Sequence, residues 1–566
     1  MTQKRFLPED FLLSAWQDIE PIFQELLNRQ IDSKMSFTEF LRNISELEAA
    51  IEEDAGWRYI KMSTDTASDE KRERYTYFVN EIQPKIAPVS NALNQKILEL
   101  SAKYEITEPG YFIFFRSLRT SVELFREENV PLEAEIQTES QKYGAITGNW
   151  TIEWEGKTIT LQQASMLLKG TDRSVREKVW NLVNNARQKD TEQLNELYHK
   201  LVGLRHTLAV NAGFQNFRDY KFKAMERFDY TAKDCFDFHQ SIAEHIIPFN
   251  KELDVHRLSN LGYESLKPWD TAVDPDGREP LRPFETPDEL IEKTISAFHS
   301  IKPEYGALMQ RMKDMGHLDL GSRPGKMPGG YNYPLYKTGI PFIFMNAAGS
   351  ENDLITMFHE GGHAIQSYLN HSLELTAFKN LHSEVAELAS MSMELISMDT
   401  WHLFYNDEDS LKRARQDQLE KVLSILPWIA QVDEFQHHVY TNVQWTMDER
   451  NRKWVELSKK YGTGVVDWTG YEYLKPTGWH RQLHLFEVPF YYIEYGMAQL
   501  GAIALWKNYK ESGRDALNLY EKALSLGNTA TIPEVYKAAG IEFNFTSEYV
   551  KSLVAFVKAE LKGITG

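Results

Sequence analysis

Residues 357–368 read MFHEGGHAIQSY, and the residues in them that could do chemistry are His359, Glu360 and His363. On a helix, positions four apart stack on one face, so both imidazoles can reach one Zn²⁺ at about 2.0–2.1 Å. Glu360 then stands roughly 100° around the axis, beside the metal. A bound zinc lowers the pKa of its water towards about 7, and an adjacent carboxylate can take the proton as the oxygen attacks a carbonyl. The expected chemistry is metal-assisted amide hydrolysis, with Glu360 as general base and one zinc per chain as cofactor.

The element that must hold these residues has a start signal. Ser350 followed by Asp353 forms an N-cap pattern ahead of Leu354, Ile355, Met357 and Phe358, which predicts a helix running through HEGGH. A mid-helix glycine costs about 0.5–1 kcal/mol relative to alanine, so something must offset Gly361 and Gly362. On the helical wheel Gly362 falls about 60° from His359, on the flank opposite Glu360. A bare backbone there lets a neighbouring helix come close and deliver a third ligand. Gly361 points away from the metal face, which predicts tight packing behind the helix.

Downstream, HSEVAELASMSMELISM offers Glu384 and Glu387, three residues apart and hence on one helix face. One acid can bind the metal, while the other accepts a hydrogen bond from a liganding imidazole and raises its basicity. Spacing leaves open which does which. Their neighbours Val385, Ala386, Leu388 and Ala389 argue for burial over a solvated helix face, and buried acids need partners. Further on, WHRQLHLFEVPFYYIEYGMAQLG holds His480, His484, Tyr491, Tyr492 and Tyr495, donors suited to an oxyanion, with ordinary core packing as the alternative. His480 and His484 form a second HxxxH pair, ranked lower because no acid follows the first histidine. The adjacent His437 and His438 cannot share a helix face and read as structural.

Just before the metal helix, the apolar run Phe342 to Met345 in GIPFIFMNAAG reads as a strand. Around Phe344, Asn346 and Ala347 its backbone could take an extended peptide as a further strand, and a strand buried inside a small sheet is the alternative.

Taken in order, GKMPGGYNYP, PFIFMN, HEGGH, SEVAELAS and HLFEVPFYYIEY resemble the thimet oligopeptidase and oligoendopeptidase F family of zinc peptidases, above all its shorter, Pz-peptidase-like branch. The resemblance covers most of the C-terminal half. It implies a mainly α, bilobal helical zincin with a small β-sheet beside the active-site helix and a deep channel for short unfolded peptides. In that family the third ligand is a glutamate followed shortly by a serine among small residues, which makes His359, His363 and Glu387 the metal ligands and Glu384 the acid that supports them. His484, Tyr492 and Tyr495 match the cluster that stabilises the transition state. A one-residue slip of the alignment near Pro489 keeps Tyr491 a candidate, placed here in substrate binding. Where many members carry a histidine seven residues after the first ligand, this chain has Gln366.

A chain of 566 residues suggests two to four domains or one large bilobal body. The expected division is an N-terminal helical lobe over residues 1–200, with a small hairpin at 150–161, and a catalytic zinc-binding lobe over residues 201–566. Apolar residues at 42% and charged residues at 26% exclude a disordered chain. A net charge of -19 works against nucleic acid and anionic membranes as partners, and short peptides are the partners the resemblance implies. The single cysteine, Cys235, rules out an intrachain disulfide, reads as a small core residue and fits a reducing, cytoplasmic setting. MTQKRFLPEDFLLSAW lacks the sustained apolar run of a secretory signal. Helical spacing dominates, as at Val89, Leu93 and Ile97 and from Val550 to Leu561, while WTIEWEGKTITL alternates as a hairpin.

The resulting expectation is a zinc-dependent oligoendopeptidase that hydrolyses internal bonds of short unstructured peptides. Its alternative is a helical peptide-binding or interaction protein with a degenerate or structural metal site.

Overall fold

The computed structural model describes residues 5–565 apart from 10, 324 and 328. The fold is mainly helical, with a two-stranded and a three-stranded sheet among the described residues. No described helix is long and apolar enough to cross a membrane.

Two compact units divide the chain, each assembled from separate segments. The first takes Met1–Val130, Arg282–Ala414 and Ala498–Phe543, and the second takes Pro131–Leu281, Arg415–Met497 and Asn544–Gly566. This differs from one boundary near residue 200, which lies inside the helix Thr191–Asn211. No shift of composition marks a boundary there, and these units are defined by contacts between segments far apart in the chain.

In the first unit, the helices Trp16–Asn28, Lys34–Thr64, Gln83–Lys103 and Tyr111–Leu124 bury Phe23, Phe37, Phe40, Leu93 and Ile97 together with Leu375 and Phe378. The same unit holds the three-stranded sheet. Its centre is Phe342–Ala347, parallel to Leu318–Gly321 on one side and antiparallel to Tyr331–Tyr333 on the other. Ile343, Phe344 and Met345 are all buried, as a strand flanked on both edges requires. The flanking strands have four and three residues, too few for alternation to betray them in the sequence. Lys326 ties this sheet together, donating from a fully buried ammonium to the Asp319 carboxylate at 2.8 Å, the Gly321 carbonyl at 3.0 Å and the Met345 carbonyl.

In the second unit, the hairpin pairs Thr151–Trp154 with Lys157–Thr160. Its turn residues Glu155 and Gly156 have φ of 49° and 75°, the left-handed pair a two-residue hairpin needs. The long helix Ala232–Asn260 packs against Leu426–Thr441 and against Ser547–Thr565, which turns Val550, Leu553, Val554 and Val557 inward.

Candidate metal centre

The HEGGH helix runs over Glu351–Asn370 and starts where its cap signal predicts. The Asp353 amide donates to Ser350 Oγ at 3.2 Å, and the Ser350 amide returns a bond to Asp353 Oδ2 at 2.9 Å. The helix Ser383–Ile396 packs along it within the same unit. A Cβ built on Gly362 would stand 2.6 Å from Ser390 Cα and 2.8 Å from the Ala389 carbonyl oxygen, so only glycine admits the second helix at this distance. Behind the metal face, a Cβ on Gly361 would meet the Phe298 ring at 2.4 Å. Both glycines therefore exchange helix propensity for close packing.

That approach brings Glu387 to the histidines. Its Oε2 lies 3.3 Å from His359 Nε2 and 3.7 Å from His363 Nε2, and ligand atoms from all three residues lie within 4.8 Å of one another. Donors about 2.0–2.2 Å from a tetrahedral zinc are separated by roughly 3.3–3.6 Å, so two imidazoles and a carboxylate at these distances fit that ion. The Ser390 hydroxyl lies 3.0 Å from the Glu387 backbone carbonyl and 3.2 Å from Glu387 Oε2, and its one proton is shared between these two acceptors.

Electrostatics divides the imidazoles. Burial alone would lower His359, but hydrogen bonds to Glu387 and Glu394 outweigh it and hold the ring well above its ordinary pKa. His363 is pushed down to about 4, chiefly by burial, and so is held neutral, the form that offers a lone pair to a metal. Burial pushes the Glu360 carboxyl up to about 7, and the backbone N–H of Asn332 donates to it.

Glu394, rather than Glu384, receives the second nitrogen of His359, with Nδ1 to Oε1 at 2.7 Å. It lies two turns beyond Glu387 on the same helix face, a spacing of seven legible in the sequence, where the nearer acid Glu384 shares that face. Glu384 is buried one turn before Glu387, where its backbone carbonyl accepts from the Tyr536 hydroxyl. We expect Glu394→Gln to weaken metal binding about 10- to 100-fold, as loss of an imidazole's carboxylate partner does elsewhere, with competition against a chelator as the measurement.

The strand expected to bind peptide needs correction. Phe344 is fully buried with its ring stacked on Tyr331 at 4.7 Å between centroids, and Ala347 is buried too. Asn346 spends its side-chain amide on the Met327 and Gly329 carbonyls, at 2.7 and 2.9 Å. Because Phe342–Ala347 is the central strand, the edge beside Glu360 belongs to Tyr331–Tyr333, whose Asn332 amide already reaches that carboxylate.

In the second unit, His484 gathers the three tyrosines, with ring centroids 6.1 Å from Tyr491, 4.7 Å from Tyr492 and 5.8 Å from Tyr495. A relay fixes its tautomer. The Trp428 indole can only donate, and it meets Gln482 Oε1 at 2.8 Å, so the Gln482 amide nitrogen donates to His484 Nδ1 at 2.6 Å. The neutral ring then carries its proton on Nε2 as a donor. Burial pushes Tyr492 up to about 12, keeping its hydroxyl proton in place. Phe490, with φ of 68°, turns the chain between His484 and the tyrosines in a conformation costing about 1–3 kcal/mol. It is held by its amide bond to Gln436 Oε1 at 2.7 Å and by Arg227, which also pairs with Glu494 at 2.7 Å. His480 bonds Asn195 Oδ1 at 2.8 Å and joins no three-donor group among the described residues.

A family model described as peptidase family M3 matches residues 166–555, and another, described as the peptidase M3 N-terminal domain, matches residues 10–125. The chain belongs to peptidase family M3. Oligopeptidase PepF of Bacillus subtilis (strain 168) is 27% identical over 267 residues, which are 45% of this M3 chain and 38% of that protein, well under half of its length. Among solved structures, Pz peptidase A with an inhibitor shares 26% identity at a TM-score of 0.90 over 97% of each chain. A putative oligoendopeptidase F has the same identity and TM-score over 99% of each. These neighbours agree with the mainly α fold expected from the sequence.

Proposed function

We propose that this M3 chain is a zinc-dependent oligoendopeptidase that hydrolyses internal bonds of short, unstructured peptides. The observation that carries the reading is the meeting of His359, His363 and Glu387 within 4.8 Å, with the buried Glu360 on the same helix as both histidines. The names of the relatives, oligopeptidase and oligoendopeptidase F, support peptides as the substrate class.

His359, His363 and Glu387 would hold the metal, while Glu394 and Ser390 orient their donors. Zinc, when bound, supplies a Lewis acid that polarises a carbonyl and acidifies water. Glu360 takes a proton from the attacking water and passes it to the leaving amine, a task suited to a carboxyl whose burial places its pKa near 7. Its Asn332 amide partner keeps the carboxylate aimed. The Tyr331–Tyr333 edge binds the peptide main chain as an added strand, which makes side-chain preference broad. The family resemblance assigns the part of oxyanion donors to His484, through its Nε2–H, and to the Tyr492 and Tyr495 hydroxyls, and substrate contact to Tyr491. A net charge of -19 and the single cysteine support a cytoplasmic setting with neither nucleic acid nor membrane as partner.

The test is a mixed peptide library digested by zinc-loaded protein and mapped by mass. Internal cuts in short peptides are expected, abolished by a chelator and restored by zinc. Peptide binding without any cleavage would overturn the reading.

A further inference from the structure

The second unit holds another set of metal-ligand side chains, far in sequence from HEGGH. Cys235 and His239 stand four apart on the helix Ala232–Asn260, and Asp433 and His437 stand four apart on Leu426–Thr441. Each pair therefore lies on one helix face, and these helices pack together. Ligand atoms from Cys235, Asp433 and His437 all lie within 4.8 Å of one another. His437 Nε2 is 3.2 Å from Asp433 Oδ2, near the roughly 3.3 Å that separates nitrogen and oxygen donors around a tetrahedral zinc.

The four side chains are all essentially removed from solvent. His239 Nε2 bonds Asp433 Oδ2 at 2.9 Å, which accounts for one histidine and one carboxylate oxygen. Among the described residues, His437 Nδ1, Asp433 Oδ1 and His239 Nδ1 have no hydrogen-bond partner, and His437 Nε2, which faces Asp433 Oδ2 as an ion pair, lies outside hydrogen-bond geometry. Each buried polar atom left so costs about 1–3 kcal/mol. Ion pairs from His239 and His437 to Asp433 leave the remaining nitrogen of each ring and the second carboxylate oxygen unsatisfied, at the place where Cys235 brings its sulfur to the same group.

We propose that Cys235, Asp433 and His437 form a second metal site, for a late first-row divalent cation such as zinc, with His239 holding the Asp433 carboxylate through Nε2. A thiol and an imidazole in the donor set disfavour calcium and magnesium, which take oxygen ligands. On binding, the Cys235 thiol loses its proton to solvent and the sulfur bonds the cation, so affinity rises with pH. Deep burial on two packed helices gives the site a structural task, clamping Ala232–Asn260 to Leu426–Thr441.

Cobalt tests this in the full chain, because Cys235 is its sole cysteine and the trio of His359, His363 and Glu387 contains no sulfur. Wild-type protein saturated with Co²⁺ should bind two ions and show a near-ultraviolet thiolate-to-cobalt charge-transfer band. Cys235→Ser should lose the band and one of the two ions, and keep its peptide hydrolysis. A single bound ion and no such band in the folded wild-type protein, a result that depends on no variant, would overturn the proposal.

Discussion

Replacing Glu360 with glutamine is expected to abolish peptide hydrolysis while the metal stays bound. The substitution keeps the side chain's size and removes only its capacity to accept a proton. A positioned general base contributes about 10²- to 10⁴-fold, so kcat should fall by at least that factor with KM little changed. His359, His363 and Glu387 are untouched, and metal content measured by elemental analysis should match wild type. Undiminished turnover in the variant would remove Glu360 from the chemistry.

Gly362→Ala should be nearly as damaging, by a different route. In an ordinary helix interior this change stabilises by about 0.5–1 kcal/mol through lost freedom in the unfolded chain. Here the new Cβ falls 2.6 Å from Ser390 Cα and 2.8 Å from the Ala389 carbonyl oxygen, both backbone atoms with no rotamer to yield. The helix Ser383–Ile396 must move, and Glu387 moves with it. Overpacking of this kind costs about 1–3 kcal/mol, which reverses the usual sign, and metal affinity should fall at least tenfold as the third donor withdraws. Gly361→Ala is the control. Its obstacle is the Phe298 ring on the helix Pro287–Ile301, so thermal stability should drop while affinity for zinc holds. Equal zinc affinity in all three proteins would sink the idea that Gly362 sets the approach.

The two substitutions separate what a carboxylate does from what a missing side chain permits, and only the first was open to reading from residue type. The role proposed for the glutamate follows from its place between two histidines. For Gly362 the wheel identified the flank, and the position of Ser390 supplied the magnitude. Elsewhere the nearer acid misled. Glu384 and Glu394 both share a face with Glu387, and the bond from His359 Nδ1 goes to the farther one, two turns on. Spacing names a face, and the axial offset between two packed helices decides which turn of it meets the metal.

Taken by itself, the sequence determined the local chemistry of this protein: the cap at Ser350, the stacking of His359 and His363, the glycine flank, the Glu155–Gly156 hairpin turn and the apolar strand before the metal helix. These are set by backbone geometry within a few residues, which neighbours along the chain control. Only the tertiary structure decided that Phe342–Ala347 is a central strand, that the edge beside Glu360 is Tyr331–Tyr333, that Trp428 and Gln482 set the His484 tautomer, and that Cys235 meets His437. These meetings join segments from about ten to about two hundred residues apart, and they are fixed by how helices and strands bury their apolar faces, a collective outcome that local backbone geometry does not contain.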